Sequence, residues 1–136
     1  MAAISKLKRL QGLRVWHVGN TNEGVKNLKD LPALESLTLG QRLNQKGDAC
    51  PNDETIALLT DLKTLKSLEL QEARLSFDAL VRLKKLPNLK KLTLNGIDIS
   101  EAEVERLKKE LPGVQVTLTK PNEAAIRRIN ALFGTK

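Results

Sequence analysis

One apolar pattern recurs along the chain and constrains its fold more than any other feature. Leu13-Arg-Val-Trp-His-Val18, Leu34-Glu-Ser-Leu-Thr-Leu39, Leu65-Lys-Ser-Leu-Glu-Leu70 and Leu89-Lys-Lys-Leu-Thr-Leu94 all read L-x-x-[LW]-x-[LV]. A fifth segment, Val114-Gln-Val-Thr-Leu118, keeps the alternation and has Gly113 in the first Leu slot. The starts at 13, 34, 65, 89 and 113 give spacings of 21, 31, 24 and 24. Period-two alternation is the signature of a strand, so five short strands are expected.

A second pattern precedes each strand. Ile4, Leu7, Leu10 and Leu13 match Leu80, Leu83, Leu86 and Leu89; Leu28, Leu31 and Leu34, and Leu59, Leu62 and Leu65, match the last three of that series. Apolar residues three apart put one face of a short helix toward a core. The unit is therefore helix, tight turn, strand, loop. One such unit cannot bury its apolar face alone, and stacked neighbours bury it as a continuous core. Each buried Leu contributes about 1.5–3 kcal/mol against chain entropy. Successive strands joined by helices run the same way, so the sheet is expected to be parallel.

These residues resemble the leucine-rich repeat family over nearly the whole chain, from Ile4 to about Leu118. The resemblance is to a bacterial subtype with units of about 24 residues, and Leu89 to Val104 follows its pattern well. It implies an α/β fold: a right-handed leucine-rich-repeat solenoid of about five parallel strands, with outer helices and a C-terminal cap helix. The whole of 1–136 reads as one domain, with 1–12 a half-repeat or cap helix, 13–118 the repeats and 119–136 the cap. The first unit is about three residues short and the second about seven long. The family's polar ladder position holds Thr21 in the first unit but Ala73 and Ile97 later, which argues against a hydrogen-bond ladder there. The chain opens inside a helix with no preceding strand. That reads either as a natural half-repeat or as a piece of a longer protein, the second being favoured.

An exposed core must be closed at both ends of such an array. Asn122 is a suitable N-cap, Ile126, Ile129, Leu132 and Phe133 follow at helical spacing, and Gly134 is a stop. A cap helix over 122–133, lying on the last strand, is expected; a partner-docking helix using Arg127 and Arg128 is the alternative. At the other end Trp16 stands in a Leu slot and is expected to plug the first layer.

Composition narrows the chemistry. The single Cys excludes an internal disulfide and a multi-cysteine zinc site, and the single His excludes a multi-histidine metal site. No cofactor is expected. No apolar run reaches the length of a membrane span, and the N-terminal residues lack a secretory pattern. The compartment stays open, with the cytoplasm favoured. His17 has no nucleophile or acid at a recognisable spacing and reads as a solvated residue of the sheet face. Gly19 to Lys26 only shadows a phosphate loop, because its Lys is one residue late and Asn27 replaces the required hydroxyl; it reads as a turn entering a short helix. Cys50 reads as a small residue in a turn, with an activated thiol near a helix start as the sharper alternative.

Three surfaces remain as binding candidates. Alternation turns Val15, His17, Gly19, Ser36, Thr38, Gly40, Ser67, Glu69, Gln71, Lys91, Thr93, Asn95, Gln115, Thr117 and Thr119 toward the open sheet face. The resemblance implies ligands on this concave surface; His17, Thr38, Glu69, Gln71, Lys91, Thr93 and Asn95 are its candidate contacts. The long loop 41–52 is the second, through Arg42, Asn44, Lys46 and Asp48, since binding residues often sit on loops held by a scaffold; a tolerated surface insertion is the somewhat plainer reading. The third is a basic ridge of Lys84, Lys85, Lys108 and Lys109. A net charge of +7 makes polyanions possible partners, and cations complementing helix C-termini are the plainer reading. The expected function is non-enzymatic protein–protein recognition. The alternatives are nucleic-acid or polyanion binding along the ridge, or a structural spacer in a larger protein. The partner and the oligomeric state are left open.

Overall fold

The computed structural model describes residues 7–15, 21–40 and 50–134. Five strands form one all-parallel sheet in sequence order: β1 (Gly12–Val15), β2 (Ser36–Leu39), β3 (Ser67–Gln71), β4 (Lys91–Asn95) and β5 (Gln115–Thr119). Five helices accompany them: α1 (Asn22–Lys26), α2 (Asp53–Leu59), α3 (Phe77–Leu80), α4 (Glu101–Glu110) and α5 (Glu123–Phe133). Two 3-10 turns, Asn27–Asp30 and Val81–Lys85, extend α1 and α3.

The helices begin where side-chain chemistry lets them. Thr21, Asn52, Ser76 and Ser100 are the N-caps of α1 to α4, and each side chain accepts the backbone N–H three residues on. This satisfies a donor that the helix itself leaves unpaired. The four caps recur at spacings of 31, 24 and 24, so the caps repeat with the units. The residue after the cap often reaches the next unit. Asn22 Nδ2 donates to Asn52 Oδ1 at 3.1 Å, and the Ser76 N–H donates to Asp53 Oδ1 at 3.0 Å. Arg106 sits over the Phe77 ring, 4.2 Å from its centroid.

The core is a set of stacked columns. Val25, Ile56, Leu80 and Val104 form one; Leu28, Leu59, Leu83 and Leu107 form the next; all eight are buried. Leu37, Leu68 and Leu92 line up across the central strands, as do Leu39, Leu70 and Leu94. Ala73 and Ile97, in the turns after β3 and β4, are fully buried. These two turn positions are therefore packed with apolar side chains.

The first unit sits three residues away from the alignment expected from sequence. Leu13 pairs with Leu37 and Val15 with Leu39; the pattern had matched Leu13 to Leu34. The tight turn before each strand supports the same register. The Leu10 N–H bonds to Leu7 O as Leu34 does to Leu31, Leu65 to Leu62 and Leu89 to Leu86, whereas in the last unit the bond falls one residue later, from Val114 to Leu111. The units therefore begin at Leu10, Leu34, Leu65, Leu89 and Gly113, and the first unit is not short: its spacing is 24, like the last two. Val15 accordingly faces the core and is buried, where the sequence had placed it on the open face. The strands also start two residues after the first Leu of each motif, because Leu34, Leu65 and Leu89 belong to the turn.

The C-terminal helix forms where expected. Asn122 Oδ1 accepts the Ala125 N–H at 2.8 Å, and Gly134, at φ 86°, ends it in a conformation that suits glycine. Ala125 and Ile129 are its buried residues. The sequence expected it over the last strand, but its side-chain bonds run to Glu72 and Arg74 in the turn after β3. Trp16, expected to plug the first layer, lies outside the described residues.

Candidate functional site

The strand alternation that buries Leu and Val on one side of the sheet presents polar side chains on the other. Three rows cross it. Gly12, Ser36, Ser67, Lys91 and Gln115 form one, and Arg14, Thr38, Glu69, Thr93 and Thr117 the second. Gln71, Asn95 and Thr119 form a shorter third row at the strands' C-terminal ends. Arg14, Ser36, Lys91, Asn95, Gln115, Thr117 and Thr119 are exposed, and Ser67, Glu69 and Thr93 are half-buried. Thr38 and Gln71 are buried, at 8% and 7% exposure, so alternation alone overstated their accessibility. Gln71 Nε2 donates to Glu69 Oε1 at 2.6 Å, which ties the third row to the second. Of the expected face residues, Thr38, Glu69 and Thr93 share one row, Gln71 and Asn95 another, and Lys91 stands in the first. His17 lies outside the described residues. Arg14, which the mistaken first-unit register had turned inward, is the residue beside Thr38.

The turns that follow the strands form a charged edge. Glu72 and Gly96 hold the same place in successive turns and both have positive φ, 50° and 67°. The Glu72 side chain reaches Arg128 on α5: Arg128 Nε lies 3.0 Å from Glu72 Oε2, and Nη2 bonds Oε1. That hydrogen bond holds the Arg128 pKa above its ordinary value, although burial opposes it slightly. Arg74 is a second clamp. Its Nε lies 2.8 Å from Asp98 Oδ2, its Nη2 2.7 Å from Asn130 Oδ1 and its Nη1 2.6 Å from Gly134 O. Beside it opens a cleft of about 510 Å³ that includes Asp53, Glu54, Asp98, Glu103 and Phe133 in its lining. A smaller pocket of about 210 Å³ lies between the third row and the start of α5, lined in part by Gln71, Asn95, Thr119 and Asn122. Neither arginine clamp was anticipated from sequence. Arg74 and Asp98 are one 24-residue spacing apart, which was the available signal; Glu72 and Arg128 carry none.

Lys84, Lys85, Lys108 and Lys109 are all exposed. The 24-residue spacing puts Lys84 level with Lys108 and Lys85 with Lys109, each pair at the end of its unit's helical segment. Lys108 pairs with Glu105 at 2.9 Å, and the other three make no ion pair among the described residues. Two other lysines bind the carbonyls that end the 3-10 turns: Lys8 Nζ to Asp30 O at 3.0 Å, and Lys63 Nζ to Lys85 O at 3.3 Å. Both contacts set a cation at the C-terminal end of a helical turn, where it complements the exposed carbonyls.

Cys50 is buried, at 1% exposure. Its Sγ lies 3.6 Å from Asn22 Oδ1 and 3.8 Å from Thr55 Oγ1. Thr55 in turn donates its hydroxyl to Asn22 Oδ1 and accepts the Asn52 N–H at 2.9 Å. The thiol thus belongs to a polar network that joins α1 to α2. Arg42, Asn44, Lys46 and Asp48 of the inserted loop lie outside the described residues. Among the described residues no group of three or more His, Cys, Asp or Glu is arranged to hold a metal, and no helix is long and apolar enough to cross a membrane. Neither a family model nor a curated protein matches the sequence.

Proposed function

We propose that the chain is a leucine-rich-repeat solenoid that serves as a non-enzymatic protein-recognition platform, with its partner on the polar face of the sheet. The observation that carries this reading is the continuous row Arg14–Thr38–Glu69–Thr93–Thr117, one residue from each of the five strands. Parallel pairing fixes the spacing of these side chains, so the row is organised before any partner arrives, and that lowers the entropic cost of binding. The inward neighbours of the row are leucines and two valines, buried on the central strands and partly buried at Leu13 and Leu118, so the face can change without replacing a core side chain. The inserted loop 41–52 adds a second contact region in this reading.

The test compares two immobilised baits, the native chain and Arg14→Glu/Glu69→Arg/Thr93→Arg. A protein partner is retained at high salt by the first and lost by the second, while thermal unfolding of the two baits coincides. Equal retention by both baits would contradict the reading.

A second reading has its own observation. The exposed lysines 84, 85, 108 and 109 lie at the ends of the 3-10 turn Val81–Lys85 and of α4, level with one another by the 24-residue spacing. They suit a polyanion such as nucleic acid. Binding of this kind collapses as salt rises, and charge reversal at the four lysines removes it.

A further inference from the structure

We infer that the pocket at the C-terminal ends of β3, β4 and β5 is a carboxamide subsite, which seats one asparagine or glutamine side chain of a polypeptide partner. The inference rests on the reading of the sheet face as a protein-binding surface and names what that surface would take at one place. Gln71 lines the pocket, and only 7% of it is exposed. One of its amide hydrogens goes to Glu69, but its amide oxygen has no donor among the described residues. A buried carbonyl oxygen without a donor is uncommon and calls for a partner.

The rest of the lining supplies the complement. Asn95 and Thr119 stand beside Gln71 in the same cross-strand row. The Asn95 amide and the Thr119 hydroxyl have no protein partner among the described residues. Asn122 spends its oxygen on the Ala125 N–H and keeps its NH₂ group. The pocket thus asks for a donor at Gln71 and offers donors at Asn95, Thr119 and Asn122. A primary carboxamide has both an NH₂ and a C=O and answers both needs. The pocket's charges are already spent: Glu72 pairs with Arg128, and Lys120 lies 2.9 Å from Glu101. A neutral ligand is therefore preferred over a carboxylate or an amine. The volume of about 210 Å³ suits one side chain rather than a whole small molecule of drug size.

The test follows side-chain amide signals of the ¹⁵N-labelled full chain by NMR. The probes are acetyl-Ala-Ala-Gln-Ala-Ala N-methylamide, its Glu and Met counterparts, and free acetamide. The Gln peptide shifts the Gln71 and Asn95 signals saturably, and the Glu and Met peptides bind at least tenfold more weakly. Gln71→Leu abolishes the effect; exposed Asn95→Leu, which spares the buried position, weakens it at least tenfold. Saturation by acetamide without saturation by the Gln peptide overturns the polypeptide assignment. No saturation by either, or equal binding of the Glu peptide, overturns the subsite. The two readings fail separately. A partner lost by the Arg14/Glu69/Thr93 bait with no response to the Gln peptide removes only the subsite. A saturable Gln peptide with partner capture unchanged by that bait removes only the row as the binding surface.

Discussion

The Arg74 guanidinium lies 2.8 Å from the Asp98 carboxylate and, through its other nitrogens, also holds the Asn130 side chain and the Gly134 carbonyl. One side chain thus fastens two consecutive turns to each other and to the end of α5. Both partners of the pair are largely out of water, at 20% and 17% exposure. Removing the cation leaves a shielded carboxylate without its counter-charge, which is costly.

Arg74→Leu is therefore expected to lower stability by about 2 kcal/mol in a denaturant titration. Amide exchange should show α5 losing protection before the sheet does. Arg128→Gln removes a more exposed pair and should cost under about 1 kcal/mol. Equal losses in the two variants would mean that Arg74 is not the principal clamp.

The middle of the sheet tolerates no charge. Leu68 is fully buried between Leu37 and Leu92. Leu68→Asp should unfold the chain, because it places a carboxylate where no partner is available. Leu68→Ala should fold and lose about 2–5 kcal/mol. Circular dichroism with a thermal melt separates these outcomes, and a folded, undisturbed Leu68→Asp would show that the core columns are misplaced.

The helix caps are expected to differ in weight. Ser100→Ala removes a single exposed cap and should cost about 1 kcal/mol. Asn52→Ala should cost more, because the Asn52 oxygen accepts from both the Thr55 N–H and Asn22 Nδ2 and so joins two units. Chemical denaturation of the two variants side by side measures the difference.

The buried thiol offers a probe of local opening. Cys50, enclosed near Asn22 and Thr55, should react with a disulfide reagent at least tenfold more slowly in the native chain than in denaturant. Asn22→Ala should speed the native reaction by loosening the network around the sulfur.

Much of the sheet was legible from residues alone. Leucines three apart followed by alternation located β2 to β5 and their order, and Asn122 with Gly134 bounded α5. The first unit was misread because two patterns fit it equally: Leu13, Trp16 and Val18, and Leu10, Leu13 and Val15. Only the cross-strand pairing and the Leu10-to-Leu7 turn bond separate them, although the 24-residue spacing from Leu10 to Leu34 pointed the same way. That slip hid Arg14 from the candidate row, put His17 beside Thr38 in its place, and turned Val15 to the open face. The burial of Thr38 and Gln71 was hidden because alternation reports which face a side chain takes, not what covers it. The pairing of Glu72 with Arg128 was hidden because it depends on where α5 lies, which no local pattern encodes.

The platform reading depends on Arg14 standing beside Thr38, and interstrand contacts between backbone protons in an NMR spectrum test that directly. Contacts that place Arg14 opposite Thr38, and Leu13 opposite Leu37, would confirm the five-residue row and the register beneath it. Contacts that place Arg14 opposite Glu35 instead would restore the three-residue offset, break the row at its first strand and contradict the account.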